Sequence, residues 1–265
     1  MPDRDAVTVI DAVPPAPTLL APHARRIQQI RGSLPPTPGG GIPLTSAWGG
    51  PAPTFTSIHA FPRGTRAGRC LHALLERVDF QSASAVGSIA AAVLDEFAYA
   101  AEWRPVLERL VADVVATPLN ATGLCLAQVA RGERLIELEF TFPLGSVAAR
   151  AGYMKGFIDL VFRLNGRWYI VDYKSNWLGE QAADYASPRL GEVMRAHRYV
   201  LQLRIYAAAL KRALYLREPA LDWAESFGGV FYLFLRGMGS ATQTGVFFVR
   251  PDDAEIETFW SGVNG

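Results

Sequence analysis

The sequence predicts an α/β fold in which a central mixed β-sheet carries helices on both sides. Three observations lead there. Residues 64–116 and 180–217 carry apolar residues at helical spacing. Short apolar runs bounded by turn residues lie at 134–142, 153–174, 229–235 and 245–249. Within the second of these, Asn165-Gly166 separates two apolar halves, and this dipeptide supplies the two positive φ angles of a type I′ hairpin turn.

Taken in order, residues 1–58 stand apart. They hold most of the prolines and the run Gly39-Gly40-Gly41. Proline removes donors and glycine raises the entropic cost of ordering, so this stretch reads as a flexible linker or tail, with one short helix near residues 23–30. Residues 59–265 read as one domain. Cys70, Leu71, Leu74, Leu75 and Val78 set a helix over 64–79, and two more follow at 82–99 and 102–116. Pro118 and the stretch 120–123 break the pattern. Residues 124–129 and 134–142 read as strands, the second built on Leu135, Ile136, Leu138, Phe140 and Phe142. The hairpin, a helix-rich stretch over 180–217, strands at 229–235 and 245–249, and a short helix at 252–262 complete the order. There is no internal repeat.

Composition excludes more than it selects. Half of the 265 residues are hydrophobic, enough for a packed core, and the net charge of +1 makes no case for nucleic acid. Cys70 and Cys125 are too few for a thiolate zinc site or a self-contained iron–sulfur cluster. Two unpaired thiols, an N-terminus without a signal-peptide pattern and the lack of a membrane-length apolar run predict a cytoplasmic protein without a membrane partner.

The chemistry is concentrated in the hairpin Lys155–Trp177. A two-residue turn pairs residues whose numbers add to 331, which sets Asp159 opposite Asp172. Facing side chains stand about 5 Å apart, and like charges there repel. The flanking Ile158, Leu160, Val161, Phe162, Tyr169, Ile170 and Val171 indicate burial, where unpaired carboxylates are costly. A divalent cation with oxygen ligands, Mg²⁺ or Mn²⁺, resolves that repulsion. Lys174 falls two residues after Asp172, on the same strand face, while Tyr173 points away. Two acids, a metal and an ammonium suit phosphodiester hydrolysis, with the metal polarising the phosphoryl oxygen and lysine orienting water or neutralising charge. A plain ion-pair network on a half-exposed sheet is the competing reading, and a bulge that shifts the register would favour it.

The strings GFIDLVF, VDYKSNWLG, HRYVLQLRIYAAAL and FGGVFYLFLRGM, preceded by HAFPRGTRAGRCLHALLE, resemble in order the C-terminal nuclease domain of the RecB subunits of bacterial exodeoxyribonuclease V, in the PD-(D/E)XK nuclease superfamily. The resemblance runs from about residue 59 to the end. It implies a restriction-endonuclease-like core and Mg²⁺-dependent hydrolysis of DNA, with Mn²⁺ or Ca²⁺ able to stand in the site. It also implies site residues. His72, in a G-x-x-x-H-x-x-x-E pattern with Gly68 and Glu76, Asp159, Asp172 and the Tyr173 carbonyl correspond to metal ligands, and Lys174 to the catalytic lysine. Glu139 corresponds to an active-site acid, and Gln202 and Tyr206 to residues that place the DNA. Single- and double-stranded DNA ends and RecC-like and RecD-like helicase-complex subunits are the implied partners.

Each residue also has a plain reading. His72 among Leu71, Leu74 and Leu75 suits a core histidine, Glu139 a solvated strand position, and Gln202 with Tyr206 ordinary i, i+4 packing. Arg195, His197, Arg198 and Arg204 suit either a phosphate track or a solvated face. The chain has no G-x-x-x-x-G-K-[ST] phosphate loop, so it supplies no helicase motor. A fragment, a separately encoded nuclease and a truncated relic all fit that departure. A non-catalytic DNA-binding or subunit-docking module is the alternative function.

Overall fold

A computed structural model describes residues 8–10, 55–144, 152–197, 199–239 and 244–264. Its core is a mixed sheet between two helical layers. Strands β1 (Thr8–Ile10), β2 (Arg134–Leu144), β3 (Gly152–Leu164), β4 (Arg167–Lys174), β5 (Phe227–Phe234) and β6 (Val246–Val249) form it. The path runs β2-β3-β4-β5-β6, and β1 pairs with Tyr153–Lys155 of β3. All neighbours are antiparallel except β4 and β5, which run parallel.

The β3–β4 turn adopts the predicted form, with Asn165 at φ 51° and Gly166 at φ 78°. Pairs from Leu164↔Arg167 to Leu160↔Val171 keep the predicted register. β4 and β5 are buried on both faces almost throughout, because helices cover both sides. On one side pack α1 (Thr65–Arg77), α2 (Val86–Glu96) and α3 (Arg104–Ala116), over Leu160, Phe162, Val171, Tyr173, Phe231 and Leu233. On the other, α4 (Ser187–Ala196) and α5 (Tyr199–Arg217) cover Val161, Ile170, Val230 and Tyr232. α6 (Trp223–Ser226) leads into β5. α7 (Asp253–Asn264) closes over α5, where Lys211 pairs with Asp253 at 2.5 Å and with Glu257.

One expectation meets a different outcome. The stretch 124–129, read as a strand, instead forms a single 3₁₀ turn at Leu126–Gln128. Side chains satisfy its backbone in place of a ladder: Leu124 N–H donates to Asn120 and Cys125 N–H to Gln128. Three residues of the expected tail, Thr8–Ile10, join the sheet as β1. The helix expected near residues 23–30 lies outside the described residues. No helix among the described residues is long and apolar enough to cross a membrane. Cys70 and Cys125 are unbonded, and burial, assisted by the Glu96 charge, pushes the Cys70 thiol up to about 12.

Candidate active site

The site forms where β3 and β4 part. Their ladder ends at Leu160↔Val171, one step before the predicted Asp159–Asp172 opposition. On its other edge β3 pairs with β2 from Ile136↔Leu160 and again from Leu138↔Ile158, skipping the step at Glu137 and Asp159. Glu137 holds φ 52°, a left-handed conformation costly for a residue with a Cβ. Ile158 and Leu160 pack on opposite faces of the sheet, although strand alternation would put them together. The chain is therefore twisted at Asp159. Its carboxylate, in place of a β3 carbonyl, accepts the Tyr173 N–H at 2.7 Å.

From α1, His72 meets the same carboxylate, with Nδ1 3.4 Å from Asp159 Oδ1. The His72 ring also stands edge-on to the Tyr173 ring, at 5.8 Å. α1 can come this close because residue 68 is glycine: a Cβ there would lie 2.8 Å from Ser175 Oγ, in the turn just after Lys174. Burial opposes ionisation of Asp159 more than any other single influence. The His72 charge and hydrogen bond, the Tyr173 N–H and the Lys174 charge together outweigh it and hold the carboxyl below the usual range.

Asp172 and Lys174 reach toward α5, with Tyr173 on the α1–α3 side as strand alternation requires. Both are 1% exposed, and Nζ lies 2.6 Å from Asp172 Oδ2. Nζ also donates to Gln202 Oε1 at 3.2 Å, and the Gln202 amide donates to the Tyr206 hydroxyl at 2.7 Å. Lysine only donates, which orients the Gln202 amide. Gln202 and Tyr206, one helical turn apart on α5, thus brace the lysine. The Tyr199 ring lies 4.0 Å from Nζ and the Tyr232 ring 5.6 Å. Burial first, then the charges of Asp172 and Asp159, raises the Tyr206 phenol well above its ordinary value. Burial, with Asp172 next, does the same at Tyr232, so both stay protonated.

His72, Asp159, Asp172, Tyr173, Lys174, Gln202 and Tyr206 are therefore brought together. Glu139 is not. It is exposed on β2, opposite Phe157, and pairs with Lys155 at 2.9 Å. Arg195, in the last turn of α4, and His197, just after it, are exposed, Arg204 stands 3.8 Å from Glu255, and Arg198 is outside the described residues. Sequence reasoning missed three contributors. Glu137 carries the twist beside Asp159, and only its backbone angle reveals it. Tyr199 covers the lysine, and nothing in its helical spacing marks it. Arg236, 1% exposed, donates to the carbonyls of Ser175, Ile58, Phe61 and Pro62, and ties the approach to α1 to the turn after Lys174. A charged residue inside the apolar run before Gly237 was the available signal.

The donor set fits a hard divalent cation in type and in charge. Buried Asp172 pairs with the buried Lys174 ammonium, whose charge also reaches buried Asp159, and the His72 imidazole adjoins Asp159. Among the described residues no three His, Cys, Asp or Glu side chains converge as a ready-made cluster. Mg²⁺ needs no such cluster, since it keeps several waters and takes only one or two carboxylates.

Comparison with known proteins agrees with this geometry. The chain matches the PD-(D/E)XK nuclease superfamily over residues 51–259. It is 37% identical to the RecBCD enzyme subunit RecB of Escherichia coli K12, over 76% of this chain and 19% of that protein. The RecB subunit of Haemophilus influenzae is 35% identical, over 78% of this chain and 19% of its own length. That of Mycobacterium tuberculosis is 31% identical, over 87% and 26%. The chain thus spans about a fifth to a quarter of the curated relatives it matches, and corresponds to their C-terminal region. A sheet that opens at an Asp–x–Lys strand end, met there by a second aspartate and a histidine from the opposite layer, and a match across most of the sequence lead to one assignment: the chain belongs to the PD-(D/E)XK nuclease superfamily.

Proposed function

We propose that the chain is a Mg²⁺-dependent deoxyribonuclease that hydrolyses phosphodiester bonds in DNA. The carrying observation is the buried Asp172–Lys174 pair at 2.6 Å, set at the strand opening where Asp159 and His72 meet. Nucleases of this superfamily use divalent metal ions. Here Asp159, Asp172, His72 and the Tyr173 carbonyl would hold the cation, which would supply positive charge to the phosphoryl group. Lys174, fixed by Asp172 and Gln202, donates a hydrogen bond toward the attacking water or the phosphoryl oxygen as negative charge develops. Gln202, held by Tyr206, gives that ammonium a second acceptor beside Asp172. Double-strand-break processing in the cytoplasm, beside RecC-like and RecD-like subunits, is the setting this reading suggests, by similarity to the RecB subunits.

The test is digestion of linear single- and double-stranded DNA with and without Mg²⁺. Wild type cuts and Asp172→Ala does not, while both bind DNA. Equal residual cutting by the two proteins would remove the site from the mechanism. Binding without cutting by wild type would favour the non-catalytic module, which the intact acid–lysine set does not.

A further inference from the structure

An aromatic stack leads from the buried lysine to the surface. The Tyr199 ring lies 6.0 Å from the Tyr232 ring on one side and 5.3 Å from the His197 ring on the other, at interplanar angles of 17° and 15°. Tyr232 is fully buried, Tyr199 half-buried and His197 exposed. An exposed ring with one face against a neighbour keeps its other face for solvent. The stack is held in place: His197 N–H donates to the Val193 carbonyl at 3.0 Å, and the Tyr232 hydroxyl to the Tyr199 carbonyl at 3.0 Å. Val200 and Leu201, 40% and 49% exposed, follow directly and give the rim an apolar border. Trp177, near the turn after Lys174, already carries the Arg63 guanidinium 3.6 Å over its ring.

We infer that the outer face of His197 is a stacking platform for an unpaired nucleobase of the strand being cut. This rests on the nuclease reading and adds to it a contact that holds one unpaired base. Aromatic rings, histidine included, bind bases through their π-faces without regard to sequence, which a general nuclease requires. His197 lies no farther from Lys174 Nζ than the 5.3 Å and 4.0 Å steps through Tyr199 laid end to end. A stacked strand advances about 3.4 Å per nucleotide, so the base sits within about three nucleotides of the scissile phosphate. A base held in a duplex cannot offer its face, so the platform favours single-stranded ends.

The experiment uses the full chain and a short single-stranded oligonucleotide with one 2-aminopurine moved along it, in Ca²⁺ to observe binding and in Mg²⁺ to observe cutting. Stacking quenches this base. In wild type one position is quenched, and replacing that nucleotide by an abasic residue weakens binding about 5-fold or more. His197→Ala loses both the quench and the sensitivity to the abasic residue, and His197→Phe keeps both. If wild type binds and cuts but the abasic scan is the same in His197→Ala, the platform is overturned and the nuclease reading stands. If wild type neither binds nor cuts, both fail together.

Discussion

Replacing Arg236 by methionine tests what holds the two halves of the site in register. The guanidinium is 1% exposed and donates to four carbonyls, of Ser175, Ile58, Phe61 and Pro62, at 2.6–3.0 Å. Methionine fills similar space and donates nothing. Each carbonyl left without its donor costs about 1 kcal/mol, the low end for buried groups because all but the Phe61 bond are only part-buried. The sum is about 4 kcal/mol, a large share of the roughly 5–15 kcal/mol that separates folded from unfolded domains. For a domain of this size each kcal/mol moves Tm by about 2–4 °C, so thermal unfolding followed by circular dichroism should fall by roughly 8–16 °C. Arg236→Lys should lie between. It keeps the charge, but its three donors share one nitrogen and cannot span Ser175 and residues 58–62 together. Because the tie joins the segment before α1 to the turn after Lys174, both variants should also cut more slowly below their Tm. A methionine variant melting within about 3 °C of wild type would show that these carbonyls find water at little cost, and would refute the reasoning.

Three further outcomes follow from the site. The Asp159 carboxyl is held below its ordinary value, so its stabilising effect is complete above the unfolded aspartate pKa of about 3.9 and disappears as pH falls through the lower folded value. The Tm difference between wild type and Asp159→Asn should accordingly stay level from about pH 7 to 5 and shrink below about 4; a difference that instead grows on acidification contradicts the assigned direction. Glu139→Ala removes an exposed pair with Lys155 and should leave cutting rates within about twofold and stability within about 0.5 kcal/mol of wild type; a loss comparable to that of Asp172→Ala would put Glu139 in the mechanism despite its position. Glu137→Gly relieves a left-handed residue and should raise stability by up to about 1 kcal/mol in urea unfolding, while the loosened strand cuts more slowly; destabilisation would show that the Glu137 side chain outweighs its backbone strain.

Much of the architecture was local and therefore legible. Helical spacing placed α1, α2 and α3 within a few residues, and Asn165-Gly166 determined the turn and the register of five β3–β4 pairs, because a two-residue loop leaves no freedom to slip. Alternation put Lys174 on the face of Asp172 and turned Tyr173 away. The stretch 124–129 misled for an equally local reason: its apolar alternation was real, but Asn120 and Gln128 supplied the hydrogen bonds that a neighbouring strand would have supplied.

What the residues decided alone was the inventory of the site: two acids, a lysine and a tight turn that brings them near one another. What only tertiary structure decided was their arrangement. Index arithmetic assumes an unbroken ladder, whereas β3 twists at Asp159, so its carboxylate takes the Tyr173 N–H and meets His72 from one layer, while Asp172 and Lys174 meet α5 from the other. Glu139 shares a strand with Glu137, yet it stands two residues past the twist, exposed and paired with Lys155. Packing of distant elements, α1 through Gly68 and Arg236, α5 through Gln202 and Tyr199, sets those contacts, and no spacing along one strand encodes the approach of another helix.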